Sequence, residues 1–134
     1  MKGTLVPRGI LIVDDDRAIT ESLAAIFSKH GYAVRCAHSA EEAIDTIAVW
    51  EPDLAILDVM LPCMNGIDLA VVLKDNWSQC RLVLFSGHES TQALAEEAAK
   101  KGNMFEILAK PVHPLFLLDF VSSLLFADAP MGTL

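Results

Sequence analysis

The feature that most constrains this chain is a short apolar run, Ile10 to Val13, that ends directly in three aspartates, Asp14, Asp15 and Asp16. A run that is apolar at every position, rather than at alternate positions, is typical of a strand buried on both faces. Such strands occur in parallel sheets that are covered by helices. We therefore expect a parallel sheet with acidic side chains at its carboxyl edge.

Short β-type runs alternate along the chain with longer segments of helical periodicity. The first helix should begin after Asp16, a suitable N-cap, and the second has a capping box formed by Ser39 and Glu42. The predicted strands are Ile10–Val13, Tyr32–Ala37, Leu54–Leu57, Arg81–Phe85 and Phe105–Ala109. The predicted helices are Arg17–Lys29, 40–50, Ile67–Asp75, 91–101 and 114–126, with Gly31 and Gly102 as stop signals and Ser90 as a cap.

Five βα units predict a single α/β domain of three layers, with a five-stranded parallel sheet and helices on both faces. The length of 134 residues and the hydrophobic fraction of 53% suit one domain with one core. We expect the domain to span residues 9–127. Residues 1–8 and 128–134 are expected to be tails of linker or artificial origin, since Leu5 to Gly9 resembles a thrombin recognition sequence.

Composition excludes several classes of function. The net charge of −8 and the scattered basic residues argue against nucleic-acid binding. No apolar run approaches the roughly 18 residues of a membrane span, and no signal peptide is visible, so a cytoplasmic location is expected. The cysteines are three in number and form no CxxC pair, which indicates reduced thiols rather than a metal or redox site.

Polar side chains also follow the later strands. Asp58 ends the third strand, Ser86 the fourth and Lys110 the fifth. Because the carboxyl ends of parallel strands meet at one edge, we expect these side chains to lie near Asp14 and Asp15. Clustered carboxylates repel one another, and a hard cation such as Mg²⁺ removes that conflict. A carboxylate can then attack phosphorus while a lysine and a hydroxyl stabilise the phosphoryl oxygens.

Six segments carry a resemblance to a known family. They are Ile10 to Asp16, Pro52 to Asp58, Leu61-Pro62, Asn65-Gly66, Leu84 to Gly87 and Ala109 to Pro111. In their order and strand-end placement they resemble the receiver domain of response regulators in two-component signalling. The resemblance covers about residues 9–127 and implies the flavodoxin-like strand order 2-1-3-4-5.

The resemblance also implies a role for each site residue. Asp58 resembles the phosphoacceptor, Ser86 the switch hydroxyl, and Lys110 the lysine that pairs with the phosphoryl group. The family's Mg²⁺ ligands correspond to Asp14, Asp15, Asp58 and the backbone carbonyl of Met60. A cis peptide bond is implied between Lys110 and Pro111.

The function that follows from the resemblance is a switch rather than an enzyme with an external substrate. A phosphohistidine on a sensor kinase or phosphotransfer protein would give its phosphoryl group to Asp58, and the aspartyl phosphate would shift an equilibrium between surface conformations. One position departs from the family. Ile107 stands where an aromatic residue is usual, and Phe105, two residues earlier, should share its face of the strand.

Three other interpretations are compatible with parts of the sequence. A phosphatase of the haloacid dehalogenase type needs a second Asp two residues after the nucleophile, where this chain has Met60. A flavin-binding domain needs Ser, Thr and Gly in its first loop, whereas Asp14 to Asp16 would repel a phosphate. A phosphorylation-independent pseudo-receiver is favoured by Ile107 and disfavoured by the complete set of acidic, hydroxyl and lysine residues.

The last helix is unusually apolar. Its core face is predicted to contain Leu117, Leu118, Val121, Leu124 and Leu125, with Phe116 and Phe120 beside it. Exposed aromatic surface often marks an interface. Residues 90–127 are therefore a candidate surface for a partner or a homodimer.

Other polar residues near the predicted site receive ordinary structural roles. Asp16 is expected only to cap a helix and not to bind metal. His88 lies two residues after Ser86, at a position that in the family affects loss of the phosphoryl group. It is expected to be a solvated loop histidine, as are His38 and His113.

Overall fold

The computed structural model describes residues 7–87, 91–103 and 105–126, and within them five strands alternate with five helices. The strands are β1 (Gly9–Val13), β2 (Ala33–Ala37), β3 (Leu54–Asp58), β4 (Arg81–Ser86) and β5 (Glu106–Ala109). The helices are α1 (Arg17–Lys29), α2 (Ala40–Val49), α3 (Gly66–Asn76), α4 (Thr91–Lys100) and α5 (Pro114–Leu125). All strands pair in parallel in the order β2-β1-β3-β4-β5, which confirms the predicted winding.

The sheet separates two layers of helices. Alternate residues of β1 face opposite sides, so that Leu11 and Val13 lie in one core cluster and Ile10 and Ile12 in the other. Helices α2, α3 and α4 cover the Leu11 side, and α1 and α5 cover the Ile10 side. The helix residues buried deepest in these contacts include Phe27, Ile47, Leu73 and Leu117. This is the predicted three-layer arrangement.

Helix starts follow the predicted capping signals with one change. Asp16 accepts from the backbone N–H groups of Ala18 and Ile19, and Ser39 accepts from that of Glu42 at 3.1 Å. The Glu42 carboxylate does not return to the backbone of Ser39, as a capping box requires, but accepts from the backbone N–H of His38. The predicted cap Ser90 lies outside the described residues.

Strands β1, β3 and β4 extend one residue beyond their predicted limits, whereas β2 and β5 each begin one residue later than predicted. Gly9 joins β1 because its N–H donates to the Asp53 carboxylate at 2.7 Å and its carbonyl accepts from the Asp53 N–H at 2.8 Å. Asp58 and Ser86 are the last residues of β3 and β4 rather than the first residues after them. The side chains of Asp58 and Ser86 are therefore attached to backbone that is hydrogen-bonded within the sheet.

The apolar face of α5 lies in the core as predicted, except that Leu124 is only half-buried. Phe116 is 54% exposed, and its ring stacks on that of half-buried Phe120 at a centroid distance of 6.1 Å. Leu115 is also exposed. The helix thus presents aromatic and aliphatic surface to solvent on the side away from the sheet.

Candidate functional site

The acidic loop after β1 places one buried and two exposed carboxylates at the carboxyl edge of the sheet. Asp14 is 3% exposed, and its backbone N–H donates to the carbonyl of Ala37 at 3.1 Å. Its Oδ1 accepts from the backbone N–H of Asp16 at 2.9 Å, which fixes the carboxylate. Asp15 is exposed, and Asp16 is the cap of α1, as predicted.

Asp58 lies beside this loop at the end of the central strand β3. It is 5% exposed, and Oδ1 accepts from the backbone N–H of Met60 at 3.3 Å. Behind it the first residue of α3 packs so closely that a Cβ on Gly66 would lie 2.2 Å from the carbonyl oxygen of Asp58. Glycine is therefore required there to hold the turn after Asp58 in place.

Lys110 supplies the positive charge of the site. Its Nζ lies 3.0 Å from Oδ2 of Asp14 and 3.4 Å from Oδ1 of Asp58. The peptide bond to Pro111 is cis, as predicted, and the Lys110 N–H donates to the carbonyl of Ser86 at 2.8 Å. One ammonium group thus lies between two carboxylates that come from strands far apart in the chain.

The electrostatics reflect this crowding. Burial raises the pKa of the Asp58 carboxyl, and the neighbouring Asp14 raises it further, while the Lys110 charge and the Met60 hydrogen bond oppose the change. Burial alone would lower the pKa of Lys110, but its hydrogen bond to Asp14 and the charge of Asp58 outweigh burial and raise it. The lysine is held as a cation, and the site still carries excess negative charge.

The carboxylates fit a divalent cation. Oxygen atoms of Asp14, Asp15 and Asp58 can be chosen that all lie within 4.8 Å of one another. A set of hard oxygen donors that is partly open to solvent suits a cation that keeps some of its water, as Mg²⁺ does. The raised pKa of Asp58 shows that its charged form is destabilised by burial and by Asp14, and a bound cation would stabilise that form.

Ser86 lies at the end of β4, next to Asp58 in the sheet. Asp58 is in register with Phe85, and Ser86 is the following residue and is buried. The carbonyl of Phe85 accepts from the N–H of Val59 at 2.9 Å, which ties the two strand ends together. The structure therefore brings Asp14, Asp15, Asp58, Ser86 and Lys110 to one edge. The side chain of Met60 is 48% exposed, and the role of its carbonyl stays a prediction.

Comparison with known proteins decides the family. Residues 10–122 match the family described as the response regulator receiver domain. The chain belongs to this family. It is thus a receiver domain of two-component signalling, a switch module, and no family of enzymes with an external substrate is indicated.

Relatives and solved structures agree with this assignment. The response regulator MprA of Mycobacterium tuberculosis (strain H37Rv) is 40% identical over 81 residues, which make up 60% of this chain and 35% of that protein. The receiver domain therefore aligns with about a third of the curated relative. A CheY-like receiver domain protein from Methanospirillum hungatei JF-1 has a TM-score of 0.83 and 29% identity, and covers 91% of this chain and 96% of its own. The structure of a response regulator from Chloroflexus aurantiacus J-10-fl has a TM-score of 0.76 and a sequence identity of 31%. The match covers 90% of this chain and 98% of that one.

Ile107, at the position where the resemblance implies an aromatic residue, keeps its packing in the core of the receiver domain. Ile107 and Phe105 are both half-buried and pack against the same core cluster, on the α2, α3 and α4 side of the sheet. The expectation that they share a face is confirmed. Neither residue carries the polar tip of a tyrosine, so this side of the receiver domain is wholly apolar at β5.

Two histidines that were expected to be solvated loop residues have structural roles in the receiver domain. His113 is an exposed loop residue as expected, whereas the expectation is wrong for His38, which is half-buried. His113 caps α5, because its Nδ1 accepts from the N–H of Leu115 at 3.1 Å. The signal for this was Pro114, since proline favours the first helical position and the residue before it is then the cap. His38 bonds side chains on two helices, which no sequence pattern indicated. His88 lies outside the described residues.

Within the part of the chain that is described, no helix of the receiver domain is long and apolar enough to cross a bilayer. The three cysteines are free thiols, in keeping with the prediction of reduced cysteines. Burial, with smaller contributions from Glu51 and Asp53, raises the pKa of Cys80 to about 12. Cys80 is therefore a packing residue and not a nucleophile.

Proposed function

We propose that Asp58 of this receiver domain accepts a phosphoryl group from a phosphohistidine and that the aspartyl phosphate is the active state of the switch. The observation that carries the proposal is the position of Lys110 between the buried carboxylates of Asp14 and Asp58. A buried acceptor with a cation beside it and a partly hydrated acidic pair matches the needs of phosphoryl transfer. The curated relatives are also response regulators.

The transfer is an in-line exchange at phosphorus. An oxygen of the Asp58 carboxylate forms a bond to phosphorus while the bond between phosphorus and the donor's histidine nitrogen breaks. The electron pair of that bond stays on the nitrogen, and the ring leaves as a neutral imidazole because its other nitrogen carries a proton. Hydrolysis of the resulting acyl phosphate restores the carboxylate and releases inorganic phosphate, and the receiver domain turns over no other substrate.

Asp14, Asp15, Asp58 and the carbonyl of Met60 are the residues proposed to hold Mg²⁺. When bound, the ion would supply positive charge that offsets the developing charge on the phosphoryl oxygens. The fit of the donor set supports this, because three carboxylate oxygens converge within 4.8 Å. Asp14 is held in place by Lys110 and by the backbone of Asp16, so the ligand is oriented in advance.

Lys110 and Ser86 are proposed to bind the phosphoryl oxygens that do not face the metal ligands. Lys110 would move its ammonium from the two carboxylates towards the new phosphoryl group, which carries more negative charge than either. The Ser86 hydroxyl would donate a hydrogen bond, and its position at the rigid end of β4 fixes its reach. Because β4 continues towards α4, a shift at Ser86 can pass to the surface formed by residues 90–127.

The proposed phosphodonor is a sensor histidine kinase or a phosphotransfer protein. It would meet the receiver domain at the edge where Asp58 lies. An apolar hollow of about 370 Å³ opens beside Lys110, between α1 and the loop that precedes α5. Its apolar lining includes Ile19, Leu23, Phe85, Pro111 and Val112. A cytoplasmic location, no contact with nucleic acid or membrane by this domain, and homodimer formation through residues 90–127 belong to the same proposal.

The pseudo-receiver alternative predicts the same fold but no response to phosphorylation. Beryllofluoride with Mg²⁺ separates the two, because it mimics an acyl phosphate only where a carboxylate and a metal site are both competent. We expect amide NMR signals around β3, β4 and β5 to shift in wild type and in Asp45→Asn, an exposed carboxylate on α2, but not in Asp58→Asn. A wild-type spectrum that does not change would support the pseudo-receiver.

Sedimentation with and without the mimic tests dimer formation. A monomer in both states would exclude the homodimer.

A further inference from the structure

Asp16 joins the start of helix α1 to the acidic loop through two different groups. Its side-chain Oδ1 accepts from the backbone N–H groups of Ala18 at 3.0 Å and Ile19 at 3.4 Å, which caps α1. Its own backbone N–H donates to Oδ1 of Asp14 at 2.9 Å. One residue therefore contacts both the first turn of a helix and a carboxylate of the candidate site.

The Asp14 carboxylate is held from two sides. Oδ1 accepts from the Asp16 N–H, and Oδ2 lies 3.0 Å from Nζ of Lys110. Under the proposed function, the lysine moves towards the phosphoryl group on Asp58. Of these two contacts, the Asp16 N–H is then the one that keeps the Asp14 carboxylate oriented while the site is loaded.

The direction of the Asp16 N–H depends on the cap. The backbone of Asp16 is extended, with a φ of −83° and a ψ of 105°, whereas the residues after it are helical. The cap holds this change of conformation in place, because its side chain satisfies N–H groups of the first turn that have no partner within the helix. The Asp16 carbonyl also accepts from the N–H of Thr20 at 3.2 Å. Loss of the side-chain acceptor should let the first turn fray and allow the N–H to turn away from Asp14.

We propose that Asp16 is a positioning residue for the metal site. By capping α1 it holds its own backbone N–H on Asp14 and so presents that carboxylate to Mg²⁺. This role rests on the proposed function and adds to it a residue that does not bind the ion. Among the described residues, the carboxylates whose oxygens converge are those of Asp14, Asp15 and Asp58. Groups that orient a metal ligand contribute to metal affinity although they do not touch the ion.

The charge of Asp16 offers a rival explanation for any effect on metal binding. Asp16 is exposed, and a carboxylate near the site attracts a cation whether or not it caps a helix, although salt screens the attraction. Asn is as good an N-cap as Asp, whereas Ala is a poor one. Asp16→Asn and Asp16→Ala therefore lose the same charge, and only Asp16→Ala loses the cap.

The Mg²⁺ affinity of the intact chain, measured by NMR titration without a phosphodonor, separates these effects. We expect Asp16→Ala to bind Mg²⁺ about tenfold more weakly than Asp16→Asn, at the lower end of the loss caused by removing a partner of a metal ligand. Ser39→Ala removes the cap of α2, where Oγ accepts from the N–H of Glu42, and should leave the affinity close to that of wild type. Equal affinities of the two Asp16 variants, or an equal loss in Ser39→Ala, would overturn the proposal.

The amide proton of residue 16 gives a second readout that needs no metal. In wild type and Asp16→Asn this proton should be protected from exchange with solvent, because the N–H donates to the carboxylate of buried Asp14. In Asp16→Ala it should exchange several times faster, relative to the unfolded chain of the same variant, and Ser39→Ala should leave it protected. Equal protection in Asp16→Ala would overturn the proposal, since the contact with Asp14 would then not depend on the cap.

The two readouts separate failure of this proposal from failure of the proposed function. A wild-type chain that binds no Mg²⁺ would contradict the metal site, and the amide of residue 16 would still decide whether Asp16 positions Asp14. If Asp16→Ala does not fold, Asp16→Gly takes its place, because glycine also lacks the side-chain acceptor but costs a helix start less than alanine does. We expect the same faster exchange and weaker Mg²⁺ binding from Asp16→Gly, and wild-type values of both would overturn the proposal.

Discussion

The ammonium of Lys110 lies 3.0 Å from the Asp14 carboxylate and 3.4 Å from that of Asp58, so one cation serves two buried anions. Asp14 directly follows β1 and Asp58 ends β3, and these two strands are adjacent in the sheet. A single positive charge cannot neutralise both, which explains why the pKa of Asp58 is raised by burial and by Asp14 despite the lysine. The remaining negative charge makes the site receptive to a second cation.

Asp58→Asn should stabilise the fold at neutral pH in the absence of Mg²⁺. The folded state binds a proton at Asp58 more tightly than the unfolded chain does, so the charged carboxylate opposes folding once the pH lies above its pKa. Removal of that charge should raise the free energy of unfolding by on the order of 1 kcal/mol. The gain should vanish as pH falls through the pKa of Asp58.

Urea denaturation of wild type, Asp58→Asn and Asp45→Asn measures this effect. Asp45 is exposed on α2, and its substitution changes the net charge equally, so it should alter stability by less than about 0.5 kcal/mol. Added Mg²⁺ should stabilise wild type more than Asp58→Asn by binding the folded state. A destabilised Asp58→Asn would show that the site does not carry excess charge.

Lys110→Met should lower stability and abolish the response to phosphodonors. The Lys110 side chain is 24% exposed, so solvent screens part of its attraction to the carboxylates, and we expect a loss of about 1–2 kcal/mol at neutral pH. The lysine's contribution is present below the pKa of an unfolded lysine and is lost as pH rises through its raised folded pKa.

Thermal unfolding as a function of pH tests this dependence. The wild-type and Lys110→Met curves should converge at alkaline pH. Lys29→Met, at the exposed end of α1, is the matched control and should stay close to wild type throughout. A gap that persists after Lys110 has lost its proton would assign the effect to packing rather than charge.

Gly66→Ala should destabilise the receiver domain by more than about 2 kcal/mol, because its Cβ would meet the backbone of Asp58 and Val59. The clash also displaces the carbonyl that follows the acceptor, so the beryllofluoride response should weaken in any folded fraction. Gly87→Ala is the control, since its Cβ would meet only Lys110 side-chain atoms at 3.8 Å, an ordinary contact. If Gly66→Ala and Gly87→Ala lower the free energy of unfolding equally in chemical denaturation, the close approach of Gly66 to the backbone of Asp58 does not require glycine.

Cys63→Gly should stabilise the fold by about 0.5–1 kcal/mol. Cys63 is exposed and has a φ of 70°, a left-handed conformation in which the Cβ of an L residue is strained. Glycine removes the strain at some cost in the entropy of the unfolded chain. Cys63→Ala keeps the Cβ and should show no gain, so denaturation of this pair separates strain from loss of the thiol.

The sequence was a good guide to the edge of the sheet. Polar residues at the ends of Ile10–Val13, Leu54–Leu57 and Arg81–Phe85 converge because a parallel sheet gathers its carboxyl ends at one edge. That rule needs only the order of strands and no side-chain detail. The geometry of Lys110 between two carboxylates follows from it once β5 is next to β4.

Contacts that depend on helix orientation were not predictable in the same way. His38 contacts Thr20 on α1 and Glu42 on α2, and no periodicity encodes the meeting of Thr20 with His38, which are 18 residues apart. The diversion of Glu42 from Ser39 to the backbone of His38 has the same origin, because tertiary contacts select among local hydrogen bonds. At His113 a local signal did exist, because Pro114 at the first helical position makes the preceding residue the cap.

Phosphorylation by acetyl phosphate and Mg²⁺, followed by intact mass, tests the central claim most directly. Wild type and Asp45→Ala should gain the mass of one phosphoryl group, and the gain should disappear when a chelator removes the metal. Asp58→Ala should gain nothing. An unmodified wild type, or an equal gain in Asp58→Ala, would contradict the assignment of Asp58 as the phosphoacceptor of this receiver domain.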